Sequence, residues 1–183
     1  MGLLTQNSKI RKATLKTYDF CLPKKVCIGK GDCDKWCFMN DGFYNMPVVK
    51  AKHEKNLKDS MQDDFIYKMH KEIEKLKPEA IRIHSGGDFY SREYLNKWLW
   101  IIDHNPSTVF YCYTKSIPLF LHMKQRENFR IVYSLGGKWD YLVKEHGLRS
   151  CETVNYYSNL ADSSDDDDSM IIFSDRNIEL IRR

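Results

Sequence analysis

The chain has 183 residues, of which 42% are hydrophobic and 30% charged, and its formal net charge is +4. This length and balance predict one folded domain over residues 1–183 and exclude a disordered chain. No apolar run exceeds five residues, whereas a membrane helix needs about 20, and the N-terminus has no apolar secretory segment. We therefore expect a cytoplasmic protein without a membrane partner, whose six cysteines stay reduced.

The first third of the chain is basic. Residues 1–60 contain twelve Lys and Arg against six Asp and Glu. We expect residues 1–11 to be a mobile basic lead-in, followed by a strand over 13–20 in which apolar and polar residues alternate. The excess positive charge either offsets nearby thiolates or binds phosphate or nucleic acid, although no recognition motif supports a nucleic-acid partner.

A cysteine-rich loop follows this strand. Residues 21–37 read CLPKKVCIGKGDCDKWC, and the glycines and proline between the cysteines allow the backbone to fold back on itself. Closely spaced thiolates in a reduced protein favour an iron–sulfur cluster or zinc. Zinc sites usually pair cysteines roughly two to four residues apart, and one pair here fits, so we favour the cluster and keep zinc as the alternative. The candidate metal ligands are Cys21, Cys27, Cys33 and Cys37.

Strand and helix patterns alternate through the rest of the chain. Residues 38–49 are predicted to be irregular or a short helix. Apolar spacing of three or four predicts helices over 60–77, 91–102, 119–125 and 139–145. Short apolar runs predict strands over 80–84, 109–113, 129–133, 153–157 and 170–173. The acidic run 162–169 is predicted to be a solvated loop, and Cys112 a small core residue.

This alternation predicts an α/β fold: either a partial (βα)6-type barrel or an open parallel sheet with outer helices, with the cysteine loop after the first strand. Polar and glycine-rich residues follow the strands. Because ligands bind at the carboxyl ends of parallel strands, we expect these residues to meet the cysteine loop at one rim. The candidate cofactor-binding residues are Ser85, Gly86, Gly87, Asp88, Thr114, Lys115 and Ser134.

Three of these features resemble the radical S-adenosylmethionine superfamily. A cysteine loop follows the first strand and contains an aromatic residue, Trp36, just before its last cysteine. Gly86–Gly87–Asp88 is similar to the superfamily's Gly-Gly-Glu turn. Ser134–Gly137 is similar to the end of the superfamily's fourth strand. The resemblance implies a 4Fe–4S cluster on Cys27, Cys33 and Cys37, with S-adenosylmethionine held at the diglycine turn. The cysteines are separated by five and three residues here, against three and two in the superfamily pattern, so the geometry around the cluster must differ.

A closer resemblance is to the bacteriophage family called gene product 88. The segments NSKIRKATLKTYDFCLP, SGGDFYSREYLNKW, FYCYTKSIPLF and FRIVYSLGG carry it. It implies a viral protein acting in the host cytoplasm and a cluster loop, and it leaves the reaction, the substrate and any host protein partner open.

Two classes of function follow from these observations. With three cysteine ligands, one iron is open to S-adenosylmethionine, and the chain is a minimal radical enzyme. With Cys21 as a fourth ligand, an iron–sulfur or zinc site is closed, and the chain is a structural, electron-transfer or host-interaction module. The position of Cys21 therefore distinguishes the two.

Overall fold

The computed structural model describes residues 2–8, 10–154, 162–163 and 168–181. Within these ranges the chain forms seven strands and five α-helices. In chain order they are β1 (Thr17–Phe20), α1 (Pro47–Met61), α2 (Phe65–Leu76), β2 (Ala80–Ile83), α3 (Arg92–Asp103), β3 (Val109–Thr114), β4 (Phe129–Ser134), α4 (Asp140–Glu145), β5 (Ser150–Val154), β6 (Asp162–Ser163), α5 (Ser169–Phe173) and β7 (Ile178–Ile181). Short 3-10 helices lie at Ile10–Lys12, Lys24–Val26, Asp32–Trp36, Phe38–Asn40, Gly42–Asn45 and Ile117–Leu119.

The described strands belong to one open parallel sheet in the order β1-β2-β3-β4-β5-β7-β6. The first five strands follow chain order. Because crossovers between parallel strands are right-handed, adding strands in one direction places the connecting helices on a single face. This architecture confirms the predicted fold class, in its open-sheet form.

The main core lies between the sheet and helices α1 to α4. Phe20 of β1 packs against Phe65 of α2 and Trp98 of α3, with ring centroids 5.6 and 5.5 Å apart, and all three side chains are fully buried. Cys112 of β3 is also fully buried in this core, as predicted. Ser91 caps α3 by accepting a 3.1 Å hydrogen bond from the Tyr94 amide.

The opposite face of the sheet is covered in part by α5. Ile171 of this short helix is buried against Tyr111 of β3 and Val132 of β4. On β1 and β2 the same face carries charged residues, Asp19 and Arg82, which lie opposite each other in the strand register. The sheet face that packs against α1 to α4 is therefore apolar, and the face that α5 partly covers has a polar region on β1 and β2.

The N-terminal segment is packed against the body and does not form the mobile lead-in expected from its charge. Leu3 and Leu4 are buried, and their amides donate to the Glu72 carboxylate at 2.6 and 3.1 Å. Thr5 pairs with Asp19 in an isolated antiparallel bridge. The apolar Leu3–Leu4 pair was the sequence signal for this packing.

Several helix boundaries differ from the predictions. Helix α1 begins at the end of the segment 38–49, predicted as irregular or a short helix, and continues through residues for which no element was predicted; its first residue, Pro47, is favoured at the first helical position. The helix predicted over 60–77 begins at Phe65, after Gln62 adopts an extended conformation. The helix predicted over 119–125 is a single 3-10 turn at Ile117–Leu119.

The C-terminal predictions were also partly wrong. Residues 170–173 were predicted as a strand but belong to helix α5, and strand β7 was not predicted. Strand β5 begins at Ser150, and residues 155–157 of its prediction lie outside the described residues. Of the acidic run predicted as a solvated loop, Asp162–Ser163 forms β6 and Asp168 is buried, while 164–167 lie outside the described residues. No described helix is long and apolar enough to cross a bilayer.

Candidate functional site

The cysteine loop, residues 21–37, lies across the carboxyl ends of β2, β3 and β4. The Leu22 amide donates to the Gly86 carbonyl at 2.8 Å, and the Cys33 amide donates to the Gly136 carbonyl at 3.0 Å. Lys30 also pairs with Gly137 in an antiparallel bridge. The structure thus brings the loop together with two of the glycine-rich turns that follow the strands.

Glycines make this close packing of the loop feasible. Gly87 has a φ of 77°, and a Cβ at this position would lie 2.5 Å from the Leu22 Cβ. A Cβ at Gly86 would lie 2.6 Å from the Met39 methyl group, and one at Gly29 would collide with the Lys115 carbonyl. The bare diglycine turn is therefore explained by contact with the chain itself, in addition to any ligand.

A cavity of about 940 Å³, here called the rim cavity, lies beneath the loop. Cys21, Cys27, Cys33 and Cys37 all line it. Six of the seven predicted cofactor-binding residues also line it, namely Ser85, Gly86, Gly87, Asp88, Lys115 and Ser134. The seventh, Thr114, is fully buried and bonds to Asp88. The cavity is large enough for a cofactor and part of a substrate.

Cys27, Cys33 and Cys37 share one electrostatic environment. Burial raises the pKa of the Cys27 thiol to about 12, and the negative charges of Asp88, Cys37 and Cys33 add to this effect. Lys115 acts in the opposite direction. Among the described residues, no three His, Cys, Asp or Glu side chains converge closely enough to hold a single metal ion. The three thiols are therefore neighbours without forming a finished single-ion site.

Cys21 is engaged elsewhere in the cavity. Its Sγ donates to Asp19 Oδ2 at 3.1 Å, and both residues are buried. Burial, followed by the Asp19 charge, raises the pKa of the Cys21 thiol well above its ordinary value, and Arg82 lowers it. Cys21 thus belongs to the β1–β2 side of the cavity.

Asp88 has its carboxylate occupied by the protein. It accepts hydrogen bonds from the Phe89 amide at 2.8 Å, Thr114 Oγ1 at 2.7 Å and the Lys115 amide at 2.8 Å. Burial raises the pKa of Asp88, and these hydrogen bonds lower it in part. The carboxylate therefore ties the end of β2 to the end of β3.

Lys115 links β3 to β4. Its ammonium donates to the Ser134 hydroxyl, to the Ser134 carbonyl at 3.2 Å and to the Leu135 carbonyl at 2.8 Å. An ammonium has three donors, and each has an acceptor here. Lys115, one of the candidate cofactor-binding residues, thus has its donors occupied by the end of β4.

The sequence prediction missed Arg82, a charged residue on the sheet face opposite helices α1 to α4. Arg82 pairs with Asp168 at 2.7 Å, and the Tyr111 hydroxyl donates to the same carboxylate at 3.1 Å. The guanidinium lies 5.1 Å from the centre of the Tyr113 ring. Burial lowers the pKa of Arg82, but Asp168 together with the neighbouring tyrosines outweighs burial, so that pKa is raised. A charged residue inside a short apolar strand was the available signal.

His53 and Tyr44 complete this side of the cavity, and both were also missed. His53 of α1 is buried, with its ring 6.0 Å from that of Tyr44. Burial lowers the pKa of His53 and raises the pKa of Tyr44. No sequence pattern could place His53, because its helix was not predicted.

His84 lies at the end of β2, next to the rings of Phe89 and Tyr94. It is buried, with a φ of 67° and one hydrogen bond of 2.8 Å between Nε2 and the Tyr94 hydroxyl. Its Nδ1 has no hydrogen-bond partner in the described part of the chain. Burial lowers the pKa of His84 to about 3, so the ring is neutral.

The outer surface of the loop region combines paired charges with exposed apolar side chains. Lys24 and Lys30 pair with Asp34, while Lys35 pairs with Asp32. The exposed apolar residues nearby are Trp36, Phe38, Phe43, Met46 and Val48. The three lysines are thus balanced in part by two carboxylates, beside an exposed apolar patch.

These features define an α/β protein with an open parallel sheet and a ligand-sized cavity under a cysteine-rich loop. A family model described as gene product 88 matches residues 1–180, so the chain belongs to the gene product 88 family. The Gene 88 protein of Mycobacterium phage L5 is 34% identical over 59 residues, which cover 31% of this chain and 25% of that protein. The match thus spans about a quarter of that relative's length. No solved structure matches the chain. The chain is therefore a phage-type protein.

Proposed function

We propose that this protein binds a 4Fe–4S cluster through Cys27, Cys33 and Cys37 and takes S-adenosylmethionine in the rim cavity, as a minimal radical S-adenosylmethionine-type enzyme. The observation that carries the proposal is that three loop cysteines line one cavity, with Cys33 and Cys37 close enough to raise the pKa of Cys27 after the larger effects of burial and of Asp88. All three line the cavity at the carboxyl ends of the strands, where α/β proteins bind their ligands.

The arrangement of the loop fits a cluster. A cluster is larger than an ion, so its thiolates stand farther apart than the ligands of one metal ion, and soft thiolates are its usual ligands. Lys24 lies close enough for Cys37 and Cys27 to help raise its pKa, after the larger effect of its hydrogen bond to Asp34. Lys24 and Lys115 thus supply positive charge beside a site that would be negative when its thiols are deprotonated.

The position of Cys21 supports an open site. Its thiol is bonded to Asp19, so three cysteines are available for the cluster. A cluster held by these three residues would supply electron transfer to a cofactor bound beside it. Ser85, Gly86, Gly87 and Ser134 would form the adjoining wall. Asp88 is a positioning residue here, because its carboxylate holds the Thr114 and Lys115 groups.

The alternative is a closed four-cysteine site of iron–sulfur or zinc in a structural, electron-transfer or host-interaction module. It requires Cys21 to break its bond with Asp19 and turn towards the other cysteines. The structure favours the open arrangement on this point, and the two make opposite predictions for a Cys21 variant.

The test is the iron and sulfide content of anaerobically purified protein, with its absorption spectrum. We expect brown protein whose cluster is lost in Cys27→Ser, Cys33→Ser and Cys37→Ser. It should be kept in Cys21→Ser and in the core control Cys112→Ala. Adding S-adenosylmethionine should change the electron paramagnetic resonance spectrum of the reduced cluster. Colourless protein with one zinc per chain would reject the cluster, and cluster loss in Cys21→Ser would favour the closed site.

A further inference from the structure

A second candidate site lies at the floor of the rim cavity, on the face of β1 and β2 away from the helices. We propose that Asp19 is the counter-ion for the cationic nitrogen of a ligand, an organic amine in its protonated form. This inference does not depend on the cluster, because it rests on side chains of the sheet and of α1.

The strand register places two opposite charges at this floor. Asp19 and Arg82 are partners in the β1–β2 pairing, and both line the rim cavity. Their neighbours along the strands, Phe20 and Ile83, are fully buried in the helix-side core. Because successive residues of a strand face opposite sides, Asp19 and Arg82 face the cavity side.

The two charges are not paired with each other. Arg82 is committed to Asp168 at 2.7 Å. Asp19 accepts hydrogen bonds from two neutral groups, Thr5 Oγ1 at 3.0 Å and Cys21 Sγ at 3.1 Å, and it forms no ion pair among the described residues. Arg82 is thus neutralised by Asp168, and Asp19 is the carboxylate of the floor that has no cationic partner among the described residues.

The other groups around Asp19 do not compensate its charge. Burial lowers the pKa of His53, so its ring is neutral near pH 7, and the Cys21 thiol has no positively charged form. Tyr44 has a pKa raised by burial and is likewise neutral. Lys52 lines the cavity, but its ammonium donates to the Gly2 carbonyl. Burial lowers the pKa of Lys52, and Glu72 is the negative charge with the largest effect on that pKa.

A protonated amine is the ligand chemistry that this environment selects. A buried carboxylate is stabilised by a charge-assisted hydrogen bond from an ammonium group, and the Tyr44 and Tyr113 rings that line the cavity also favour a cation. A ligand carboxylate would meet the repulsion of Asp19, while Arg82 already has its own carboxylate. The site therefore discriminates by charge.

The experiment uses the full chain and three four-carbon probes: n-butylammonium, 1-butanol and butyrate. Binding is measured by ligand-observed NMR at pH 7 with wild type, Asp19→Asn and the control Asp41→Asn. Asp41 lines the outer part of the same cavity and is exposed. We expect the ammonium probe to bind best to wild type and to Asp41→Asn, and to bind roughly tenfold or more weakly to Asp19→Asn, since a charge-assisted bond is lost.

Three results would overturn the inference: no binding of the ammonium probe to wild type, a preference for butyrate, or equal ammonium binding by Asp19→Asn. If Asp19→Asn fails to fold, the ranking of the three probes on wild type still tests whether the site prefers a cation. The measurement is repeated on protein stripped of metal. Failure of the cluster proposal would leave the ammonium preference unchanged, so the two proposals fail separately.

Discussion

The Cys21 thiol donates a 3.1 Å hydrogen bond to the carboxylate of Asp19, two residues earlier in the chain, and both side chains are buried. Residues two apart in an extended chain share a face, so the end of β1 presents both to the cavity. This bond separates Cys21 from the other loop cysteines in chemistry as well as in position, because a protonated, buried thiol is a poor nucleophile and a poor ligand.

The first prediction concerns thiol reactivity. In metal-free folded protein at pH 8, iodoacetamide should modify Cys33 and Cys37, which are half-buried, well before Cys21 and Cys112, which are buried. The raised pKa of Cys21, caused by burial and Asp19, slows it further. Mass spectrometry of peptides over a time course measures the order. In urea all six cysteines should react at similar rates, and equal labelling of Cys21 and Cys33 in folded protein would contradict the prediction.

The second prediction follows from His84. Burial lowers the pKa of His84 to about 3 in the folded state, against about 6.5 when unfolded. The unfolded chain therefore binds a proton that the folded chain excludes, and stability is lost as the pH falls below about 6.5. Between pH 7 and 5 this group alone should lower the free energy of unfolding by about 2 kcal/mol.

Urea unfolding of wild type, His84→Asn and His122→Asn tests this pH dependence. Asn tolerates the positive φ of residue 84, and His122 is an exposed control. The His84 variant should lose part of the slope between pH 7 and 5, and the His122 variant should keep it. The pH dependence that remains in the His84 variant includes the contribution of His53, because burial also lowers the pKa of His53. Identical slopes for wild type and His84→Asn would show that the ring does not resist protonation.

The third prediction compares two glycines with positive φ. Gly87 has a φ of 77° and packs against Leu22, whereas Gly42 has a φ of 59° and has nothing within 4 Å of a Cβ. Gly42→Ala should lose about 1 kcal/mol from backbone strain alone. Gly87→Ala should lose roughly 2 kcal/mol or more, because the new methyl group also displaces the cysteine loop. Chemical unfolding measures both, and equal losses would mean that the Leu22 contact is unimportant.

The fourth prediction compares a buried and a surface ion pair. Asp168 pairs with Arg82 and is 3% exposed, while Asp103 pairs with Arg126 and is 48% exposed. Asp168→Asn leaves a buried guanidinium without its counter-charge and should lower the free energy of unfolding by about 3 kcal/mol or more. Asp103→Asn should cost less than about 1 kcal/mol. Similar losses in thermal or urea unfolding would contradict the assignment of the Arg82 pair as buried.

The sequence predicted the parallel sheet because its central strands are short and apolar. Ala80–Ile83 and Val109–Thr114 were both recognisable, and Pro78 limited the helix before the first of them. The prediction that polar turns meet at the carboxyl rim also follows from this topology. These features are local in sequence or follow directly from the order of the strands.

The missed features depend on distant contacts. Helix α1 has few apolar residues at helical spacing, and its buried polar residues, His53 and Asn56, gave no periodic signal. Met170 to Phe173 looks like a strand because of its apolar run, yet packing against β3 and β4 makes it a helix. Likewise, the partner of Arg82 is Asp168, at the far end of the chain, which no local pattern identifies.

The docking of the cysteine loop also has a consequence for biosynthesis. The Cys33 amide is held by the Gly136 carbonyl, and the Lys138 amide by the Gly29 carbonyl, so the loop cannot reach its final position until the end of β4 has left the ribosome. A nascent chain emerges from its N-terminus. For most of translation, the three thiols of the loop are therefore exposed to oxidants and to stray metal ions. A metal bound to them therefore reaches its final geometry only late in synthesis or after release.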